Sequence, residues 1–203
     1  MRVKWSLWLP IGMMIAFAVT CWPSMLPESL KNFSAAYAIA FCAGIYFPGR
    51  MRWILPLTTL LLLDFALNVF YYKVSALSPY TLFKVAAYAG IIWLGTRFHA
   101  RQNYLKLLGG GFLGALIFYF VTNVASWLFD PGYPKTLSGL IQALTTGLPG
   151  YPPTWLFLKN TLISGGLFTG LFAGVMKFSG VGEEAKEEEE AEEIGEEPVP
   201  EEA

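Results

Sequence analysis

The stretch Trp53 to Tyr72, WILPLTTLLLLDFALNVFYY, is the longest apolar run of the chain and decides its fold class. A helix of this length is about 30 Å long, which matches the hydrocarbon core of a bilayer. Asp64 lies inside the run and is the only carboxylate in the apolar segments. A carboxylate at that depth costs about 2.5 to 3.5 kcal/mol on insertion scales, so it normally faces a partner helix or a wet cavity. Asp64 is therefore the first candidate for function.

The composition divides the chain into two segments. Of its 203 residues, 55% are apolar and 16% aromatic, which is typical of polytopic membrane proteins. Residues 1–180 hold 13 Lys and Arg against three acids, a charge of +10, whereas 181–203 hold one Lys against 12 Glu, a charge of −11. We predict a membrane domain over 1–180 and an acidic, disordered cytoplasmic tail over 181–203. The alternative for the tail is a docking element for a partner.

Hydropathy and charge together predict the topology. Six runs are long enough, or nearly so, to cross the bilayer, at about 5–22, 33–47, 53–72, 80–96, 104–129 and 154–178. The Lys and Arg residues of the connecting segments alternate between the two sides, with eight on one side and three on the other. Since basic residues are retained in the cytoplasm, we predict an all-α membrane protein with six transmembrane helices and both termini cytoplasmic.

A segment rich in Pro and Gly, Asp130 to Pro153, precedes the sixth run. Within it Leu137, Leu140, Ile141 and Leu144 recur at helical spacing between polar residues. This pattern predicts a short helix lying in the membrane interface before helix six. The segment is either a simple connector or a lid over the outer half of the bundle.

Polar side chains of several runs fall at similar depths near the predicted outer side. A rise of 1.5 Å per residue places Asp64 about 12 Å below the outer end of its helix, with Asn68 one turn above it. The inner halves are almost entirely apolar, which favours an outward-facing pocket over a continuous pore. The candidate substrate-binding residues are Asn32, Asp64, Asn68, Lys84, Asn123, Trp127, Lys159 and Asn160.

Each candidate also has a structural interpretation. Asp64 could be held by Lys84 or Lys159 in an ion pair that only stabilises the bundle. Both lysines lie close enough to a helix end to extend their ammonium groups to the headgroups. Asn123 and Trp127 are also consistent with helix packing plus an interfacial aromatic ring.

The sequence contains no catalytic, metal-binding or cofactor-binding motif. Its one histidine, His99, lies in a predicted cytoplasmic loop, and a phosphate-binding Gly-Lys-Ser/Thr loop is absent. Two cysteines, Cys21 and Cys42, form no framework for disulfides or metal. We therefore expect neither an enzyme nor a cofactor.

Three stretches resemble a family of bacterial membrane proteins grouped with the substrate-binding S components of energy-coupling-factor transporters. They are Asn32-Phe33-Ser34, Pro56 to Asp64, and Phe118 to Leu140, and the resemblance covers about residues 30–176. It implies an S-component-like bundle of six helices with an outer substrate pocket capped by loops. This chain departs from that family after Asn160, where it has Thr161 to Gly166 in place of an acidic residue.

The resemblance also implies partners. In S components the first helix carries small residues that contact a transmembrane coupling subunit, which in turn recruits ATPases. Gly12 and Ala16, one helical turn apart, would be the matching residues here. We therefore expect a subunit of the bacterial inner membrane that takes up a small polar molecule. The alternative is a structural or accessory subunit of a membrane complex that transports nothing.

Overall fold

The computed structural model describes residues 5–22 and 30–179, and this part of the chain is entirely helical, without strands. The predicted tail at 181–203 lies outside the described residues. Seven helices follow one another: α1 Trp5–Val19, α2 Ala36–Tyr46, α3 Met51–Ala66, α4 Pro79–Gly95, α5 Tyr104–Phe129, α6 Leu137–Leu144 and α7 Thr154–Phe178. A π-helical turn, Leu67–Tyr72, continues α3.

Three of these helices are long and apolar enough to cross a membrane. They are Met51–Tyr72, Tyr104–Phe129 and Thr154–Phe178, with 22, 26 and 25 residues. At 1.5 Å per residue each exceeds the roughly 30 Å of a hydrocarbon core. The last two begin and end at the residues predicted from sequence, because Asn103 and Pro153 mark their starts and no proline interrupts either helix.

The second predicted span is shorter than expected. The run at 33–47 forms a helix of only 11 residues, Ala36–Tyr46, about 16 Å long. Asn32, in the left-handed region at φ 64°, and Pro48 limit it on either side. Nine of its residues are buried, and it packs against α1, α3, α4, α5 and α7. This helix is therefore the centre of the bundle, and a short buried helix of this kind does not need to match the bilayer.

Close approach of backbones holds α2 against α4. A Cβ placed on Gly44 would overlap the main-chain oxygen of Ile92, and one on Gly95 would overlap that of Phe41. Only glycine permits this contact, so the two glycines allow α2 and α4 to approach more closely than residues with a Cβ would.

The two ends of the bundle differ in charge. One end, here called the basic end, contains the loop between α2 and α3, the loop between α4 and α5, and the end of α7. There Lys177 donates to the main-chain oxygen of Gln102 at 2.7 Å. Six Lys and Arg residues lie there without a single acid in the described ranges: Arg50, Arg52, Arg97, Arg101, Lys106 and Lys177. Both acids of the described residues, Asp64 and Asp130, lie towards the opposite end, here called the cavity end.

Candidate functional site

Asp64 is neutralised inside the protein. It occupies the last turn of α3, and its carboxylate forms an ion pair with the Lys84 ammonium of α4. The two side chains retain only 16% and 23% of their exposure, so water screens the pair weakly. The Asn68 amide donates to the other carboxylate oxygen at 3.4 Å. Of the two lysines offered by the sequence, Lys84 is the one that the structure brings to Asp64.

A change of helix type places Asn68 beside this pair. Residues Leu67–Tyr72 form a π-helical turn that ends at Lys73, whose φ of 54° is left-handed. The main-chain oxygen of Asn68 accepts from the backbone N–H groups of Lys73 and Val74. π-Helical turns inside α-helices often occur at functional sites. Here the turn ends the helix and brings the following loop, residues 73–78, over the site.

A cavity of about 630 Å³ lies at this end of the bundle. Helices α3, α4, α5 and α7 and three connecting segments contribute to its wall. The polar side chains that line it are Asn32, Asn68, Ser75, Ser78, Lys84, Thr122, Asn123, Ser126, Asp130 and Thr154. Aromatic rings complete the wall, from Tyr80, Phe118, Tyr133, Tyr151 and Phe157. The volume falls in the range of about 300 to 1,000 Å³ that is usual for small-molecule sites.

The segment 130–153 closes one side of the cavity. Its helix α6, predicted from the leucine spacing, is capped by Thr136, whose hydroxyl oxygen accepts from the Gly139 N–H at 3.2 Å. The Tyr119 hydroxyl of α5 donates to the main-chain oxygen of Leu144 at 2.6 Å. The Trp127 indole N–H donates to the main-chain oxygen of Pro134 at 2.9 Å. Side chains of α5 therefore hold this segment before α6 and at the end of α6.

Asp130 lies where α5 ends and the segment begins. One of its carboxylate oxygens accepts from the Gly132 N–H at 2.8 Å. The Lys135 ammonium donates to the main-chain oxygen of Asp130 at 2.7 Å. Burial raises the pKa of the Tyr133 phenol, and the Asp130 carboxylate raises it further. A hydrogen bond with the Thr154 side chain lowers this pKa, by less than burial raises it. Tyr133 is therefore neutral at physiological pH.

The predicted residues fall into two groups. Asn32, Asn68, Lys84 and Asn123 line the cavity, and Asp64 lies behind Lys84. The other three, Trp127, Lys159 and Asn160, do not line the cavity.

Those other three residues have different environments. The Trp127 indole donates a hydrogen bond to the segment 130–153, and the Lys159 side chain is exposed on α7. Asn160 is buried, with 2% of its surface exposed, and donates to the main-chain oxygen of Lys31 at 2.9 Å. Asn160 thus joins α7 to the loop that carries Asn32.

The sequence does not predict the aromatic part of the wall. Tyr80, Tyr133 and Tyr151 come from α4 and from the segment 130–153, where the sequence pattern indicates only an apolar run and a loop. The available signal is the richness of the segment 130–153 in proline, since Tyr133 and Tyr151 each precede a proline. Their convergence depends on how the loops fold back over the bundle.

The small residues of α1 face away from the bundle. Gly12 and Ala16 are exposed, and nothing lies within 4 Å of a Cβ placed on Gly12. Trp8, Ile15 and Val19 are exposed beside them, at 61%, 56% and 56%. The opposite face of α1 packs Met14 and Phe17 into the core.

Within the described ranges, no three His, Cys, Asp or Glu side chains are grouped so that they could hold a metal ion.

Comparison with known proteins identifies the family and no individual relative. No curated protein and no solved structure matches the chain. A family model matches residues 2–187, nearly the whole length, and its description is a family of unknown function, DUF6580. The chain therefore belongs to the DUF6580 family.

Proposed function

We propose that this protein is the membrane-embedded substrate-binding subunit of an uptake system, and that its cavity captures a small polar molecule. The observation that carries the proposal is the cavity itself. Its wall combines amide and hydroxyl side chains, which can hydrogen-bond a polar molecule, with five aromatic rings that can pack against it. Asn68 and Asn123 lie on different helices and would hydrogen-bond the molecule from two sides.

The proposed topology has six membrane helices, with the cavity facing outwards and both termini in the cytoplasm of a bacterial inner membrane. The charge difference between the two ends supports this orientation. Six cations and no described acid at the basic end match the excess of Lys and Arg on cytoplasmic surfaces. The cavity end would then face the source of the molecule.

Uptake needs a partner that supplies energy, because the sequence offers no nucleotide-binding loop of its own. The resemblance to S components suggests a transmembrane coupling subunit with separate ATPases. The exposed face of α1 supports this choice, since Gly12 and Ala16 would let a second helix approach closely.

The test is native mass spectrometry of the gently extracted protein, together with thermal shifts against a panel of metabolites. We expect a bound small molecule that is lost in an Asn123→Leu variant, since the amide oxygen of Asn123 would no longer be available to it. The matched control is Phe120→Leu on the same helix, where the ring is 53% exposed and outside the cavity wall. Absence of a bound molecule together with no thermal shift would overturn the proposal.

A second candidate is an accessory subunit that transports nothing. The observation that favours it is the ion pair, because Asp64 is satisfied by Lys84 and Asn68 without any ligand. Gly12→Leu and deletion of 181–203 are the discriminating changes. If either abolishes co-purification of a partner while no small molecule is ever found, the accessory role is preferred.

A further inference from the structure

Four polar side chains, on α5 and at its end, contribute to the wall of the cavity. Thr122, Asn123, Ser126 and Asp130 all line the cavity. The spacing from 122 to 126 to 130 is four residues at each step, so these side chains lie above one another. They form a continuous polar strip from mid-helix to its end, here called the α5 strip.

The hydroxyl protons of the α5 strip are already used. Thr122 donates to the main-chain oxygen of Phe118 at 2.8 Å, and Ser126 donates to that of Thr122 at 3.2 Å. A hydroxyl has one proton and two lone pairs. Towards the cavity, both side chains therefore present lone pairs only.

The remaining groups continue the same pattern. Asn123 donates to the main-chain oxygen of Tyr119 at 2.7 Å, which leaves its carbonyl oxygen and one N–H available. Across the cavity, Ser75 donates its proton to the main-chain oxygen of Leu77 at 2.8 Å. Along the α5 strip and at Ser75 a ligand therefore meets mainly hydrogen-bond acceptors, so donors on the ligand are favoured at this part of the wall.

Charge in the wall points the same way. The Lys84 ammonium is paired with Asp64. Asp130 forms no ion pair among the residues that the structure describes, and the Lys135 ammonium donates to the main-chain oxygens of Trp127 and Asp130 rather than to the carboxylate. Asp130 is thus the carboxylate of the wall that has no salt-bridge partner among the described residues.

Aromatic rings line the same cavity as this carboxylate. Tyr80 and Tyr133 are among them, and the Tyr80 ring packs against Phe129, the neighbour of Asp130 in the chain, at 5.8 Å between ring centres. Tyr151 lies in the same wall. Faces of such rings attract cations within about 6 Å of their centres. Acceptors, a carboxylate and tyrosine rings are the groups that would bind an organic cation with N–H groups.

We infer that the cavity selects small molecules that carry a protonated amine, and that the ammonium binds at the Asp130 end of the α5 strip. The inference rests on the proposed function and specifies its substrate class. It excludes carboxylates and phosphates as preferred ligands, because they would present lone pairs to lone pairs along the α5 strip.

The test uses three probes that share a phenol ring and differ in charge: tyramine, tyrosol and 4-hydroxyphenylacetate. Binding to the detergent-solubilised full chain is measured by calorimetry at pH 7, and molecules released from the extracted protein by denaturation are identified by mass spectrometry. We expect tyramine to bind at least about tenfold more tightly than the other two.

The decisive variant is Asp130→Asn. The asparagine carbonyl keeps the acceptor for the Gly132 N–H, so the turn at the end of α5 is retained. We expect the variant to lose the preference for tyramine over tyrosol. Lys135→Gln is the matched control at the same turn and keeps that preference.

The outcomes separate the inference from the proposed function. Preference for tyrosol or the acid, an unchanged preference in Asp130→Asn, or release of a neutral or anionic molecule would each overturn the amine assignment and leave capture of a small molecule standing. Release of an amine supports the inference even if all three probes fail. If no probe binds and nothing is released, both proposals fall.

Discussion

Asp64 and Lys84 show how an expensive charge is tolerated in an apolar helix. Alone, either group would be largely dehydrated, but each supplies the counter-charge of the other. A pair of this kind gives little net stability, because the Coulomb attraction mainly offsets the lost hydration. Loss of one partner is different, since the other charge is then left unpaired.

Asp64→Asn is therefore expected to lower the unfolding free energy by about 2 kcal/mol, between the values for exposed and fully buried pairs. The double variant Asp64→Asn with Lys84→Gln should recover most of this loss, because no unpaired charge remains. Thermal unfolding of the purified variants measures both. If the double variant were as unstable as the sum of its single changes, the pair would not be coupled.

At the scale of elements, Gly44 of α2 and Gly95 of α4 determine how closely these two helices pack. Gly95→Ala would push its Cβ into the main-chain oxygen of Phe41, which has no rotamer to escape into. We expect a loss of about 1 to 3 kcal/mol, the usual range for overpacking. The control is Gly109→Ala on α5, where nothing lies within 4 Å of the new Cβ. That change should be neutral or stabilising by up to about 1 kcal/mol, since Ala is the better helix former.

Thermal unfolding again compares the two glycine variants. Equal stability of Gly95→Ala and Gly109→Ala would contradict the close contact between α2 and α4.

The segment 130–153 depends on a different kind of contact. Tyr119→Phe removes the hydrogen bond to Leu144 at a net cost of about 1 kcal/mol. We expect faster amide hydrogen exchange in residues 137–148, because α6 is held to α5 partly by this bond.

Tyr104→Phe is the matched control for that change. It removes a similar bond, from the phenol to the main-chain oxygen of Gly170 at 2.9 Å, at the basic end. Exchange in 137–148 should not change in this control. Faster exchange there in both variants would indicate general loosening rather than local release.

For the whole molecule, the charge difference between the ends predicts which end faces outwards. Leu77→Cys at the cavity end and His99→Cys at the basic end can be compared in a background of Cys21→Ser and Cys42→Ala. Both positions are exposed. A membrane-impermeant maleimide should label the first in intact cells and the second only after permeabilisation. The opposite labelling pattern would invert the proposed topology.

Much of the fold follows from the sequence because it depends on local pattern. Long apolar runs predict α3, α5 and α7, and the recurrence of leucines predicts α6. The special position of Asp64 also follows, since a lone carboxylate in an apolar run needs a partner somewhere.

Other features depend on residues far apart in the chain, which no local pattern contains. The central position and short length of α2 result from packing against five other helices. The choice of Lys84 over Lys159 depends on which helix faces α3.

The cavity likewise exists only in three dimensions. Loops 73–78 and 130–153 fold back to bring Ser75, Tyr133 and Tyr151 to the same wall as Asn123. Sequence alone determined that the chain is helical, rich in apolar spans and in need of a partner for Asp64, because periodicity, hydropathy and charge are properties of neighbouring residues. Tertiary structure decided which lysine neutralises Asp64 and which side chains enclose the cavity, because those contacts arise only when distant segments pack together.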